Sequence, residues 1–289
     1  MKRHVGMLAV VMLMVAMMPA RAFAQREVPG ERLSGLEAWG HYLTTGFLWG
    51  ELYGGLSAQN SKKTFKTRSP VIIYPSSGTG AWEAALVNTL SPGDHVLMVE
   101  TGQFATLWKN MAARLGLVPE FLPTDWRTGV DANAVEARLC ADKGHAIKAV
   151  CIVHNETATG CRTWIEEIRK ALSATSHPAL LMVDTISSLG VMDFRHDEWG
   201  VDVTVSGSQK GMMLPPGLAF TAISEKALEA SKTAKLPRAY FAWDDMLSNN
   251  ATGFFPYTPA TGLLYGLSEA IDMLNEEGLD QVFARHMRH

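Results

Sequence analysis

The stretch TVSGSQKG at residues 204–211 joins the end of a β-strand to an isolated lysine, Lys210. The β-branched residues of 202–205 predict a short strand. The small and polar residues after it allow a ligand to approach the backbone, and a strand end is a rigid position from which one amine can project. A lysine taken alone is usually an ordinary surface residue, so its interpretation depends on the rest of the chain.

An acid ends a second predicted strand. Residues 180–183 read LLMV, an apolar run typical of a buried strand, and Asp184 follows directly. Ligands of α/β sheets bind beyond the carboxyl ends of the strands, so we expect Asp184 and Lys210 at one edge. A lysine that forms an imine with an aldehyde and a carboxylate that pairs with a pyridine nitrogen are what a pyridoxal phosphate site needs.

Strand and helix patterns alternate from residue 65 onward. This alternation predicts an α/β protein with a mainly parallel, doubly wound sheet and helices on both faces. The predicted strands are 71–74, 95–99, 149–153, 180–183, 202–205 and 218–223, and the predicted helices are 81–90, 104–115, 131–141 and 162–174.

Other polar clusters also follow predicted strands. Ser77, Gly78 and Thr79 precede a helix, where free backbone N–H groups and the helix dipole favour a phosphate. The sequence HNET at 154–157 follows another strand. Phe104 opens a helix, and the sequence leaves two roles open for it, stacking over a flat ring or packing in the core.

Composition excludes several classes of protein. The 289 residues carry a net charge of −3 and no long basic run, so the chain has no signature of nucleic-acid binding. The 3 cysteines are odd in number and lack C-x-x-C spacing, which argues against a disulfide framework and a zinc site. The histidines are scattered, so we predict no metal site.

The N-terminus has a different character. Lys2 and Arg3 precede an apolar run at 5–18, and the sequence AFA at 22–24 resembles a cleavage site. Residues 1–24 therefore match a secretory signal peptide, too short to span a membrane comfortably. On this interpretation the mature protein is periplasmic, with no membrane segment after signal removal. Residues 25–62 contain aromatics without a regular period and are left unassigned.

Five stretches carry a family resemblance: SSGTGAWEAALVNTLSPGD, HNETATG, VDTISSLG, GSQKGMMLPPG and FPYTPAT. They resemble the class V pyridoxal phosphate aminotransferases, most closely the serine–glyoxylate and alanine–glyoxylate enzymes. The resemblance covers residues 63–289 and implies the large, cofactor-binding domain of a fold type I transferase. It also implies a homodimer with active sites near the subunit interface, and a cytoplasmic location if the signal-like segment is not genuine.

The resemblance implies a role for each candidate residue. Lys210 would bond to the cofactor aldehyde, Asp184 would bind the pyridine nitrogen, and Phe104 would stack on the ring. Hydrogen bonds to the cofactor would come from further residues: Thr157 at the ring hydroxyl, Ser77, Gly78, Thr79 and Gln209 at the phosphate, and Tyr257 and Thr258 at the phosphate of the neighbouring subunit.

The sequence also departs from the family pattern. The Pro-Gly-Pro segment of the family's N-terminal arm is missing, and the chain ends at His289, before the small C-terminal domain that supplies an arginine for the substrate carboxylate. We therefore expect a chain truncated at both ends. Arg285 and Arg288 are not assumed to replace that arginine, because carboxylate recognition by arginine is geometric as well as ionic.

Three functions follow from these expectations. The leading one is transamination, in which serine or alanine gives its amino group to glyoxylate and glycine is formed. A second is another fold type I reaction such as cysteine desulfuration. The cysteine desulfurases of this fold have a histidine over the ring and a mobile catalytic cysteine, and Phe104 at the stacking position argues against that reaction. The third is a catalytically impaired remnant that binds the cofactor.

The first prediction concerns Lys210. Lys210→Ala removes the amine that forms the imine, so the absorbance of the lysine-bound cofactor and all transamination should disappear while the fold is kept. Absorbance spectra and far-UV circular dichroism of both proteins measure this. Turnover by the alanine variant at the parent's rate would show that another residue carries the cofactor.

Overall fold

The computed structural model describes residues 61–251 and 254–289. The predicted signal-like segment 1–24 and all but the last two residues of the segment 25–62 lie outside the described residues. The strands are β1 (Val71–Ser76), β2 (His95–Val99), β3 (Val118–Leu122), β4 (Ile147–Val153), β5 (Leu180–Asp184), β6 (Val203–Gly207) and β7 (Gly217–Ile223). The helices are α1 (Gly78–Thr89), α2 (Gln103–Arg114), α3 (Ala132–Ala141), α4 (Ile165–Ala174), α5 (Glu225–Ser231), α6 (Trp243–Asn250), α7 (Thr261–Glu277) and α8 (Leu279–Arg288).

The strands form one sheet in the order β1-β7-β6-β5-β4-β2-β3. The run from β6 to β3 is parallel, whereas β7 is antiparallel to both β1 and β6. The predicted α/β class with a mainly parallel sheet is therefore confirmed. Strand β3 is not predicted from the sequence, because Pro119 and Glu120 interrupt its apolar pattern. A strand with proline is tolerated at the sheet edge, where β3 lies.

Two apolar clusters cover the two faces of the sheet. Successive residues of β4 alternate between them: Val150 and Ile152 belong to one cluster, and Ala149 and Cys151 belong to the other. Helices supply the opposing side chains, including those of α7 in the first cluster and α1 in the second. The predicted helices on both faces are thus confirmed, and α1 and α2 pack on the same face.

Helix α1 is buried almost all round. Of its 12 residues, 9 are buried, which is typical of a core helix rather than an amphipathic surface helix. Its C-terminal half is anchored by Asn88, whose amide donates to the carbonyls of Ala84 and Phe241 and accepts from the N–H of Trp243. This anchoring holds the N-terminus of α1 at the carboxyl edge of the sheet.

One predicted helix begins later than expected. Helix α4 starts at Ile165, not at residue 162. Arg162 forms an isolated β-bridge with Asn155, and the N–H of Thr163 donates to the carbonyl of His154, so this segment is extended. The 154–163 hairpin begins at the end of β4 and therefore lies at the carboxyl edge of the sheet.

Within the described ranges, no helix combines the length and apolar character that crossing a membrane requires. In the same ranges, no group of three or more His, Cys, Asp or Glu side chains is placed to hold a metal ion.

Candidate active site

Asp184 ends the central strand of the sheet. It lies between Val153 of β4 and Val205 of β6, and it is 4% exposed. The indole Nε1 of Trp82 donates to its Oδ2 at 2.8 Å, and the N–H of Ile186 donates to its Oδ1 at 2.7 Å. Burial raises the pKa of Asp184 to about 7; the two hydrogen bonds lower it, and the negative charge of Glu156 raises it further.

The N-terminus of α1 lies beside this acid. Gly78 packs against the side chain of Ile186, so the first turn of α1 lies against the residue whose N–H holds Asp184. Ser77 occupies the N-cap position, but its hydroxyl makes no cap hydrogen bond. Ser77 and Thr79 are exposed. The first N–H groups of a helix have no intrahelical partner, so this turn can receive an anion.

Gly207 brings a second segment to the same turn. A side chain at Gly207 would meet the Gln209 Oε1 at 2.9 Å and the Gly78 backbone nitrogen at 3.3 Å, so this strand end needs a glycine. Gln209 therefore lies next to the start of α1. Its Oε1 is buried and has no hydrogen-bond partner within residues 61–251 and 254–289. The amide of Gln209 is thus available to a ligand at the helix terminus.

Lys210 lies in the loop after β6. Ser208 fixes this loop: its hydroxyl donates to the carbonyl of Pro215 at 2.8 Å and accepts from the N–H of Leu218 at 3.1 Å. The carbonyl of Lys210 accepts from the N–H of Met213 at 2.9 Å, which closes the turn. The side chain of Lys210 is exposed, whereas Ser208 is buried. A rigid loop therefore presents a solvent-accessible amine.

Phe104 lies in the first turn of α2. Its ring meets the Trp82 ring edge-on with centroids 6.5 Å apart, and Trp82 stacks on Trp108 at 5.9 Å. Phe104 is partly buried and packs against the apolar cluster on this face. It therefore belongs to the rim of the core and also lies next to the indole that binds Asp184. Thr157 is exposed in the loop after β4.

The structure brings most of the predicted site residues to one edge. Contacts through Gly207, Ile186 and Trp82 connect Gly78, Gln209, Asp184 and Phe104. The other predicted residues are chain neighbours of this set: Ser77 and Thr79 flank Gly78, Lys210 follows Gln209, and Thr157 follows Glu156, which accepts from the N–H of Phe104. Tyr257 and Thr258 lie outside these contacts. The Tyr257 ring stacks on Tyr240 at 4.2 Å, and Tyr240 donates to the carbonyl of Pro75 near the end of β1, while Thr258 is exposed.

Sequence reasoning missed three residues of this edge: Trp82, Ile186 and Glu156. Trp82 lies in the stretch SSGTGAWEAAL, but the direction of its side chain depends on where α1 begins. The sequence predicts that start at residue 81, whereas the helix begins at Gly78. Ile186 contributes through its backbone, which no side-chain pattern reveals. Glu156 lies within the sequence HNET, which is predicted as part of the site only because it follows a strand.

The sheet is mainly parallel, has helices on both faces, and carries a lysine and a buried acid at its carboxyl edge. These features define the class of protein as the large domain of a fold type I pyridoxal phosphate-dependent transferase. The sequence model of the family described as aminotransferase class-V matches residues 58–289. The chain therefore belongs to the class-V aminotransferase family.

Individual relatives narrow the comparison. The chain is 54% identical over 233 residues to a serine–glyoxylate aminotransferase of Hyphomicrobium methylovorum, covering 80% of this chain and 58% of that protein. It is 53% identical to an L-aspartate–glyoxylate aminotransferase of Paracoccus denitrificans, covering 78% of this chain and 58% of the relative. The crystal structure of alanine–glyoxylate aminotransferase from Nostoc sp. superposes with a TM-score of 0.76 at 28% identity, over 82% of this chain and 63% of that one. The chain thus spans under two thirds of the length of these relatives.

The buried Asp184 makes stability depend on pH. Its folded pKa of about 7 lies above the ordinary value of 3.8, so the stability that this group contributes is complete below pH 3.8 and is lost as the pH rises toward 7. In the cofactor-free protein, the free energy of unfolding of the parent should therefore fall relative to that of Asp184→Asn in this window. The expected slope is up to about 1.4 kcal/mol per pH unit.

Urea unfolding of both proteins at several pH values between 5 and 8 measures this difference, because asparagine has no charge to bury. The loss of one hydrogen bond to Trp82 or Ile186 adds an offset that does not vary with pH. A difference between the two proteins that stays constant from pH 5 to pH 8 would contradict the assignment.

Proposed function

We propose that the protein is a pyridoxal phosphate-dependent aminotransferase that moves an amino group from serine, or from alanine, to glyoxylate and so forms glycine. The observation that carries this proposal is the buried Asp184 carboxyl, held by two hydrogen bonds at the same sheet edge as the exposed Lys210. The names of the relatives at 54% and 53% identity support glyoxylate as the amino acceptor.

The residues at the edge fit the cofactor. The unpartnered Oε1 of Gln209 lies beside the N-terminus of α1, whose free N–H groups suit a phosphate. Rotation of the Gln209 amide would turn its N–H donors toward that phosphate. In this proposal Ser77, Gly78 and Thr79 complete the phosphate site, and Thr157 binds the ring hydroxyl.

Asp184 and Phe104 control the ring. Trp82 and Ile186 each hold one oxygen of Asp184, so the carboxyl is held in one orientation. In this proposal it would share a proton with the pyridine nitrogen of the cofactor. Burial raises the pKa of Asp184, because within the part of the chain that the structure describes the ionised form lacks a cation beside it, and a protonated ring nitrogen would supply that positive charge. Phe104 would cover one ring face and exclude water from it.

Lys210 would move the proton. Bound pyridoxal phosphate supplies an electron sink for the pair left when the bond between the substrate Cα and its hydrogen breaks. The Lys210 amine would take this proton from the substrate Cα and return it to the carbon that carried the cofactor aldehyde. The loop around Ser208 holds the backbone of Lys210 at the site. The Lys210 side chain is exposed, which leaves its amine free to move between these two atoms.

The substrate carboxylate needs a cationic partner, and Arg285 is engaged elsewhere. Its Nε and one of its terminal nitrogens donate to the two carboxylate oxygens of Glu277 at 2.7 and 2.8 Å. A bidentate contact of this kind uses the same N–H groups that would bind a substrate carboxylate. Arg285 is therefore not proposed as a substrate ligand.

Activity of the purified chain tests the proposal. The full chain, loaded with pyridoxal phosphate, should convert glyoxylate to glycine with serine or alanine as the donor, measured by chromatography of the amino acids formed. Lys210→Ala is the matched control and should form none. Cofactor binding without any turnover by the parent would support the impaired remnant instead of the aminotransferase.

We also propose that the protein forms a homodimer in which two subunits share each cofactor site. If Thr258 binds the phosphate of the neighbouring subunit, cofactor affinity is coupled to assembly, and dilution should release the cofactor. Thr258→Ala should weaken cofactor binding by about 1–3 kcal/mol, because a hydrogen bond to a charged phosphate is lost. Cofactor titration and sedimentation over a range of protein concentrations measure both effects. A monomer that binds the cofactor as tightly as a dimer rules out the shared site.

A further inference from the structure

Glu156 is a buried acid at the site with no role in the proposed reaction. It is 0% exposed and lies in the loop after β4. Its Oε1 accepts from the N–H groups of Phe104 at 3.2 Å and Ala158 at 3.1 Å, and its Oε2 accepts from that of Ala105 at 3.1 Å. Three backbone N–H groups thus donate to its two oxygens, which act as acceptors.

These hydrogen bonds fasten the N-terminus of α2. Gly102 is the N-cap of this helix and has no side chain with which to cap it. A Cβ at Gly102 would lie 2.5 Å from the Glu156 Cγ, so the glycine leaves the space that the acid uses. The helix dipole also favours a negative charge at this end. Glu156 therefore acts as the cap of α2 from a distant part of the sequence and fixes the position of Phe104.

The same carboxylate acts on Asp184. Two neutral donors hold the Asp184 carboxyl, the Trp82 indole from α1 and the Ile186 amide from the loop after β5. Glu156 lies near this acid because the N–H of His154, two residues before Glu156, donates to the backbone carbonyl of Asp184 at 2.9 Å. The negative charge of Glu156 raises the pKa of Asp184. Trp82 and Ile186 donate neutral N–H groups, so Glu156 is the charged member of this set. A fixed negative charge favours any positive charge or proton nearby.

We propose that Glu156 is a positioning residue that holds Phe104 over the cofactor ring and whose fixed charge keeps the proton in the pair formed by Asp184 and the ring nitrogen. This inference rests on the proposed function, because it requires pyridoxal phosphate at this edge. The two effects are separable, since one depends on the reach of the side chain and the other on its charge.

Two variants and a matched control separate them. Glu156→Asp keeps the charge but is one methylene shorter, so it cannot reach all three N–H groups. Glu156→Gln keeps the length but removes the charge. Glu100→Gln is the control, because Glu100 is a partly exposed acid just after β2 that accepts from the Trp126 indole at 3.3 Å.

Each full-length protein is loaded with pyridoxal phosphate carrying 15N at the ring nitrogen. The 15N chemical shift is followed against pH, and cofactor affinity is measured by titration. The ring nitrogen of Glu156→Gln should lose its proton at a lower pH than that of the parent. Glu156→Asp should keep the parent's pH profile but bind the cofactor about tenfold more weakly or worse, because Phe104 is no longer held. Glu100→Gln should match the parent in both measurements.

The outcomes distinguish the inference from the proposed function. A parent that does not bind the cofactor overturns the proposed function and, with it, this inference. A parent that binds, together with a Gln variant whose 15N profile is unchanged, overturns the role of the charge alone. If the Gln variant does not fold, the Asp variant decides, and an affinity equal to the parent's overturns the positioning of Phe104.

Discussion

The rest of the site depends on one constraint, the burial of the Asp184 carboxyl at the end of the central strand. An acid in this place destabilises the fold unless it is hydrogen-bonded, and one that is ionised costs more. Trp82 and Ile186 satisfy its two oxygens, but no cation among the residues described here offsets its charge. Glu156 increases the cost. The chain therefore keeps at this edge an acid whose burial lowers the stability of the fold. Such local costs are typical of functional sites.

Helix α1 converts this local arrangement into a rigid one. Its N-terminal turn packs on Ile186 and Gly207, and its indole Trp82 reaches Asp184 from the next turn. Because α1 is buried on nearly all sides and anchored through Asn88, it cannot shift without disrupting the core. The proposed phosphate-binding turn and the Trp82 indole that holds Asp184 are thus parts of one rigid helix, which fixes the distance between them.

Sequence reasoning reached the parts of this structure that a local pattern determines. The apolar runs that end at Asp184 and near Lys210 are strands, because buried parallel strands need continuous apolar sequence. Sequence reasoning missed β3, where Pro119 and Glu120 break the apolar pattern at a sheet edge. It also missed Glu156 and Trp82, because their roles depend on which residues approach from distant segments, and the two roles left open for Phe104 are not exclusive: its ring lies on the rim of the core. Candidate site residues at strand ends could be predicted from the sequence. The residues that hydrogen-bond to them or pack against them from other segments could not.

The antiparallel strand β7 has a consequence for how the protein folds. β1 is joined to the sheet through β7, with Val71 opposite Ala222 and Ser76 opposite Gly217. Loop closure over so long a separation is entropically costly, and within residues 61–251 and 254–289 β1 pairs with no other strand. β1 can therefore take its place in the sheet only in a chain that extends as far as β7, the strand with which it pairs. The strand that leads into Ser77 and Gly78 thus depends on a segment about 140 residues further along the chain, so this end of the sheet forms through one of its longest-range pairings.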